Sequence, residues 1–157
     1  VAYQGRRAGA VVKDYLQAWE LVCEADVPNL GLCLDTYELL ASGSAIEVIQ
    51  EDLDMLDPDK VFLVRLADQL GQAPTPWRVF PGQGHHSGVL TTLISSLHTQ
   101  GYHGNYSLAA INEDHALMPA SYVAQRAQAS ALWVGQDVLQ RSVPLRNLIR
   151  LHRATSV

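Results

Sequence analysis

The sequence predicts an α/β fold in which parallel strands alternate with helices. Three observations carry that expectation. Short apolar runs, Leu30 to Leu34 and Val61 to Val64, each end on polar groups, as strands buried on both faces do when they deliver a functional group at their C-terminal ends. Between the runs lie stretches with apolar residues every three or four positions. The strand tips near Gln4, Asp35, Arg65 and Ala109 are spaced by about 30 residues or more, the length of a βαβ unit.

Val1-Ala-Tyr-Gln4 reads as a strand tip, followed by a loop from Gly5 to Gly9. Val11 to Ala25 is an amphipathic helix through Val12, Leu16, Trp19 and Cys23, with Val11, Tyr15 and Val22 alongside. Asp26-Val-Pro-Asn29 breaks it, and a strand ending at Asp35 follows. Ser44 is placed to cap a second helix carrying Ile46, Val48, Ile49, Leu53 and Leu56, stopped by Asp57-Pro-Asp59. Lys60 to Asp68 is the third strand. Gln69 to Gly88, with Pro74, Pro76, Pro81, Gly82 and Gly84, reads as one long loop, a length that usually signals function. Val89 to Gln100 is a third helix, with Gly101 suited to its C-terminal cap. Asn105 to Ile111 is the fourth strand. Pro119 then starts a long Ala-rich helix from Ala120 to Gln140. The division is four βα units over 1–140 and an amphipathic tail over 141–157, with Arg146, Arg150 and Arg153.

Strands alternating with helices imply a parallel sheet with right-handed crossovers. An open doubly wound sheet and half of a (βα)8 barrel both satisfy the pattern. No glycine-rich dinucleotide fingerprint follows any strand, which weakens the first, while the second leaves two open sheet edges. Four strands cannot close a barrel. The expected partners are therefore a second copy of the chain or an N-terminal half, an expectation strengthened by a first residue that is Val, not Met.

The 157 residues suit one core, and 48% apolar against 17% charged residues exclude a disordered chain. A net charge of −5 without a basic stripe argues against nucleic acid, and no apolar run approaches the ~20 residues that span a bilayer. Cys23 and Cys33 fit no zinc spacing and read as buried free thiols in a reducing, cytoplasmic setting. His85 and His86 are adjacent on a loop and read as solvent-exposed rather than as ligands of one ion.

Asp35 is the first candidate site residue, because chemistry in α/β proteins sits at the C-terminal edge of the parallel sheet. Asn29-Leu-Gly-Leu-Cys-Leu-Asp35-Thr-Tyr-Glu38, Val61-Phe-Leu-Val-Arg65-Leu-Ala-Asp68, Arg78-Val-Phe-Pro-Gly-Gln-Gly84 and Gly101-Tyr-His-Gly-Asn-Tyr-Ser-Leu108 follow Val1-Ala-Tyr-Gln4 in order. Together they resemble the second half, strands five to eight, of the xylose isomerase-like TIM barrels, and within that group the 3-dehydroshikimate dehydratases. The resemblance runs from Val1 to about Trp133.

It implies a half barrel and a lyase giving protocatechuate, dependent on a divalent cation (Mg, Mn or Co). The family holds that cation with a Glu, an Asp, a Gln or His, and a Glu, one from each strand. A His three residues beyond the Asp assists the chemistry, and the Arg of the Arg-x-x-Pro-Gly-x-Gly segment binds substrate. Carried onto this sequence, the ligand positions hold Gln4, Asp35, Arg65 and Ala109, and the His position holds Glu38. Only Asp35 keeps the family residue, and Arg65 brings a permanent positive charge to a cation site. Arg78, Gly82, Gly84 and Asp68 keep the pattern assigned to substrate. The sequence therefore predicts a degenerate site with Asp35, Glu38 and Arg65 at its centre. No metal cofactor is expected there, and the expected ligand is a small carboxylate held by Arg65 and Arg78. An active metal-dependent dehydratase or a related sugar isomerase is the alternative.

Overall fold

The computed structural model describes residues 1–4, 9–41, 46–71 and 77–141. The Ser44 cap, the prolines at 74 and 76 and the tail beyond Arg141 lie outside the described residues.

Three strands form a parallel sheet in the order β1 (Leu32–Asp35), β2 (Val61–Leu66), β5 (Asn105–Leu108). Its register places Asp35, Arg65 and Ser107 side by side. Residues 1–4 run along the other flank of β1. The Val1 ammonium group donates to the Gly31 carbonyl, the Cys33 amide donates to the Val1 carbonyl at 2.7 Å, and the Tyr3 hydroxyl donates to the Asp35 carbonyl at 2.9 Å. Both partners advance together, so this segment lies parallel to β1. The result is four parallel segments in sequence order with open edges at residues 1–4 and β5, half of a barrel.

The face of the sheet toward the helices is dry. Leu32, Leu34, Val64 and Leu66 pack against α1 (Tyr15–Ala25), α3 (Ile46–Asp54) and α4 (Ser87–Thr99). Helix α4 presents Leu90, Leu93, Ile94 and Leu97, an i, i+3, i+4, i+7 stripe, all fully buried. The opposite face carries Cys33, Leu63, Arg65, Asn105 and Ser107, which are half-buried or exposed. Strands expected to be buried on both faces are thus buried on one, because four segments do not wrap around their own interior.

Several local expectations need correction. Helix α1 begins at Tyr15, since the Asp14 side chain accepts from the Gln17 amide at 2.8 Å and caps it there. Its buried face is Tyr15, Ala18 and Val22, leaving Val11 and Cys23 exposed, so Cys23 is not a buried thiol; both cysteines are free. A short helix, α2 (Thr36–Ala41), follows Asp35 directly. The supposed long loop contains an antiparallel hairpin, β3 (Asp68–Leu70) with β4 (Trp77–Val79). The Ala-rich helix divides into α5 (Ala120–Leu132) and a π-helical turn, Trp133–Val138. Among the described residues no helix is long and apolar enough to cross a membrane.

Candidate functional site

The parallel strands end together at a polar cleft of about 470 Å³, lined by Tyr3, Gln4, Asp35, Glu38, Arg65, Arg78, Ser107 and Ala109 among others. Its centre is Asp35, the last residue of β1, whose side chain is 5% exposed. One carboxylate oxygen, Oδ1, accepts from the Tyr37 amide at 3.0 Å and faces the Glu38 amide at 3.5 Å, so the turn into α2 fixes its orientation. The other oxygen, Oδ2, faces two cations. Arg65 Nη1 lies 3.4 Å away and Arg78 Nη1 lies 3.5 Å away. Neighbouring register in β1 and β2 brings Arg65 there.

Arg78 arrives from the hairpin. Its backbone pairs with Gln69, and its carbonyl accepts from Asn112 Nδ2 at 2.7 Å. Its guanidinium donates to the Ala109 carbonyl at 2.9 Å, lies 3.7 Å from Glu38 Oε1, and stacks 4.2 Å over the Tyr37 ring. Gln69, itself buried, donates from Nε2 to the Tyr37 carbonyl at 2.9 Å and so ties the hairpin to α2. The second oxygen of Glu38, Oε2, is buried and, among the described residues, accepts no hydrogen bond. Below the cleft, burial and the nearby Asp35 charge push the Tyr3 hydroxyl well above the usual phenol range, and burial also raises the Cys33 thiol.

The structure thus brings together Gln4, Asp35, Glu38, Arg65, Arg78 and Ala109. It does not bring Asp68, Gly82 or Gly84 to the cleft. Asp68 is fully buried; Oδ1 accepts from the Gln69 amide at 2.7 Å and the His86 amide at 3.0 Å, and Oδ2 accepts from the Gly84 amide at 3.0 Å. It ties β3 to the segment that enters α4. Gly84 is required by close approach, since a Cβ there would lie 2.3 Å from the Gln69 carbonyl oxygen. Gly82 has φ +81° and lies under Trp133, whose ring a Cβ would meet at 2.9 Å. These three residues hold the loop that follows Arg78. His85 is exposed, and Phe80 is buried against Ala67 and Ala110 outside the cleft.

Tyr37 and Gln69 escaped the sequence reading. Tyr37 sits between two candidate residues, and the aromatic platform it offers to an arginine was a usable signal. Gln69 needed the hairpin pairing to become visible.

Fold and cleft define an α/β half barrel with a charged site at the C-terminal ends of its parallel strands. No protein-family model matches the chain. It is 32% identical to a 3-dehydroshikimate dehydratase of Pseudomonas aeruginosa, over 92% of this chain and 23% of that protein. It is 28% identical to an inosose isomerase of Halalkalibacterium halodurans, over 78% of this chain and 43% of the relative. Among solved structures, an IolI protein with a bound zinc atom superposes with a TM-score of 0.66 at 26% identity, covering 79% of this chain and 44% of that one. A xylose isomerase-like TIM barrel/4-hydroxyphenylpyruvate dioxygenase fusion protein gives the same TM-score and identity, covering 91% and 22%. The chain is a homologue of the xylose isomerase-like TIM barrel proteins, related to 3-dehydroshikimate dehydratases and inosose isomerases. It spans less than a quarter of that dehydratase's length and less than half of that isomerase's.

Proposed function

We propose that the cleft is a metal-free carboxylate-binding site, on a relative of the 3-dehydroshikimate dehydratases that no longer performs metal chemistry. One observation carries this reading: two guanidinium groups face Oδ2 of Asp35, the one inherited ligand position that keeps its carboxylate. Hard divalent cations need several oxygen donors, most of them anionic. Of the four inherited positions, Asp35 offers a carboxylate, Gln4 an amide and Ala109 no side-chain donor, while Arg65 repels a cation. Among the described residues no group of three or more His, Cys, Asp or Glu side chains is placed to hold a metal ion. The residues present do not fit the cation that the family pattern implies.

The same arginines suit a carboxylate. Their contacts to Asp35 and Glu38 lie between 3.4 and 3.7 Å, longer than charge-assisted hydrogen bonds at about 2.8 Å. An incoming carboxylate therefore competes with loose ion pairs. The reading includes a second chain, another copy or a complementary half, against the two open sheet edges. It is tested by calorimetric titration with cyclohexanecarboxylate, a small ring that suits the cleft. Binding to the chain and at least tenfold weaker binding to Arg78→Ala supports the site; equal binding to both refutes it.

The rival reading is an active divalent-metal-dependent dehydratase giving protocatechuate, favoured by the similarity over 92% of the chain to an enzyme of that name. It requires cation donors beyond Asp35 and Gln4, with Glu38 the nearest carboxylate.

A further inference from the structure

Glu38 has an arrangement that a simple carboxylate ligand does not explain. Its Oε1 faces Arg78 at 3.7 Å, while Oε2 is buried without a hydrogen-bond donor among the described residues. A buried anionic oxygen without a partner is costly, and sites that carry one are completed by whatever supplies the donor. Asp35 differs in having both oxygens engaged, by the Tyr37 amide on one side and two guanidiniums on the other. On the opposite side of the balance, Arg65 meets Asp35 at 3.4 Å and keeps 43% of its side chain exposed, so guanidinium N–H groups remain open to the cleft. Glu38, with its unsatisfied acceptor turned inward, and Arg65, with unsaturated donors, thus line the same cleft of about 470 Å³.

We propose that the cleft recognises a zwitterion, a small amino carboxylate whose carboxylate lies on Arg65 and Arg78 and whose ammonium group pairs with the Glu38 carboxylate, turning Oε2 out of its burial to meet the donor. This rests on the carboxylate-site reading and names its ligand class. Charge favours it over the alternatives. Two carboxylates and two guanidiniums leave the four central side chains formally neutral, and a zwitterion keeps the balance while pairing each charge with its opposite. A simple carboxylate leaves Glu38 Oε2 unpaired and adds a negative charge beside it. A hydroxyl supplies only a neutral donor, and hydrogen bonds to a charged donor are about twice as strong.

The test is calorimetric titration of the full chain with four matched probes: cyclohexanecarboxylate and its 3-hydroxy, 3-amino and N-acetylated 3-amino derivatives. The 3-amino compound is expected to bind about tenfold or more tightly than the other three. In Glu38→Gln, with folding checked by circular dichroism, that preference collapses to within about twofold while the parent carboxylate, freed of competition from Glu38 for Arg78, binds at least as tightly. The N-acetyl arm needs no variant, because it removes the charge and keeps an N–H; affinity equal to the free amine overturns the proposal even if Glu38→Gln fails to fold. Equal affinities across the series, or a preference for the hydroxy compound, overturn the zwitterion and leave the carboxylate reading standing. Failure of all four to bind overturns both.

Discussion

Asp68→Asn is the substitution whose consequence the structure defines most sharply. Asp68 is fully buried and holds three backbone amides, those of Gln69, Gly84 and His86, at 2.7 to 3.0 Å. Asparagine can keep an oxygen for the two amides that share Oδ1, but its NH₂ group then meets the Gly84 amide donor to donor. One hydrogen bond to a charged group is lost, worth about 1.5–3 kcal/mol, and the two that remain lose their ionic character. The total is about 2–4 kcal/mol, a large part of the roughly 5–15 kcal/mol that stabilises a domain. In urea unfolding followed by circular dichroism, with a slope of about 1–3 kcal/mol per molar, the midpoint should fall by about 1 M or more. Since Asp68 does not line the cleft, the folded fraction should bind a carboxylate with unchanged affinity. An unchanged midpoint together with lost ligand binding would refute this reasoning and return Asp68 to the ligand site.

Other consequences follow from the same geometry. Gly82→Ala places a Cβ at positive φ and 2.9 Å from the Trp133 ring, and should lower stability by about 1–3 kcal/mol in the same assay. Thr36→Val removes a buried hydroxyl that donates to the Ala67 carbonyl at 2.7 Å and accepts from its amide at 2.9 Å, and should cost about 2–4 kcal/mol. Tyr102 and Tyr106 are pushed up to about 12 by burial, and Tyr3 and Tyr15 are also raised by burial. The folded chain therefore holds these phenol protons to higher pH than the unfolded chain does. Their contribution to stability is complete below pH 10 and is lost as pH rises above it. An ultraviolet titration of the native protein should find these four phenols ionising later than in urea.

The sequence showed the βα alternation because strand runs and helical stripes both report burial, and burial toward the helices is what the structure has. The cleft's centre was legible for a related reason: Asp35 ends β1, Arg65 lies one residue from the end of β2, and chain order places those ends beside Gln4. Two things were hidden. The first is the hairpin, whose short strands, Asp68–Leu70 and Trp77–Val79, have no alternation long enough to read. The second is the division of labour along the Arg78 segment, where Arg78 reaches the cleft and Gly82 and Gly84 support the loop behind it. A motif read as one substrate-binding unit separates once distances exist, because the glycines answer to Trp133 and Gln69. Helix α1 shows a third limit. Its apolar residues occupy more than one face, and only packing selects Tyr15, Ala18 and Val22 over Leu16, Trp19 and Cys23.

The central claim, that the inherited cation position has become a fixed-charge carboxylate site, is met most directly by calorimetric titration with Mn²⁺. The chelator-treated chain, shown to be folded, should bind no Mn²⁺, while the triple substitution Gln4→Glu, Arg65→Gln, Ala109→Glu should gain an affinity that Asp35→Ala removes. Tight Mn²⁺ binding by the unsubstituted chain, abolished by Asp35→Ala, would contradict the account and restore a metal-dependent enzyme.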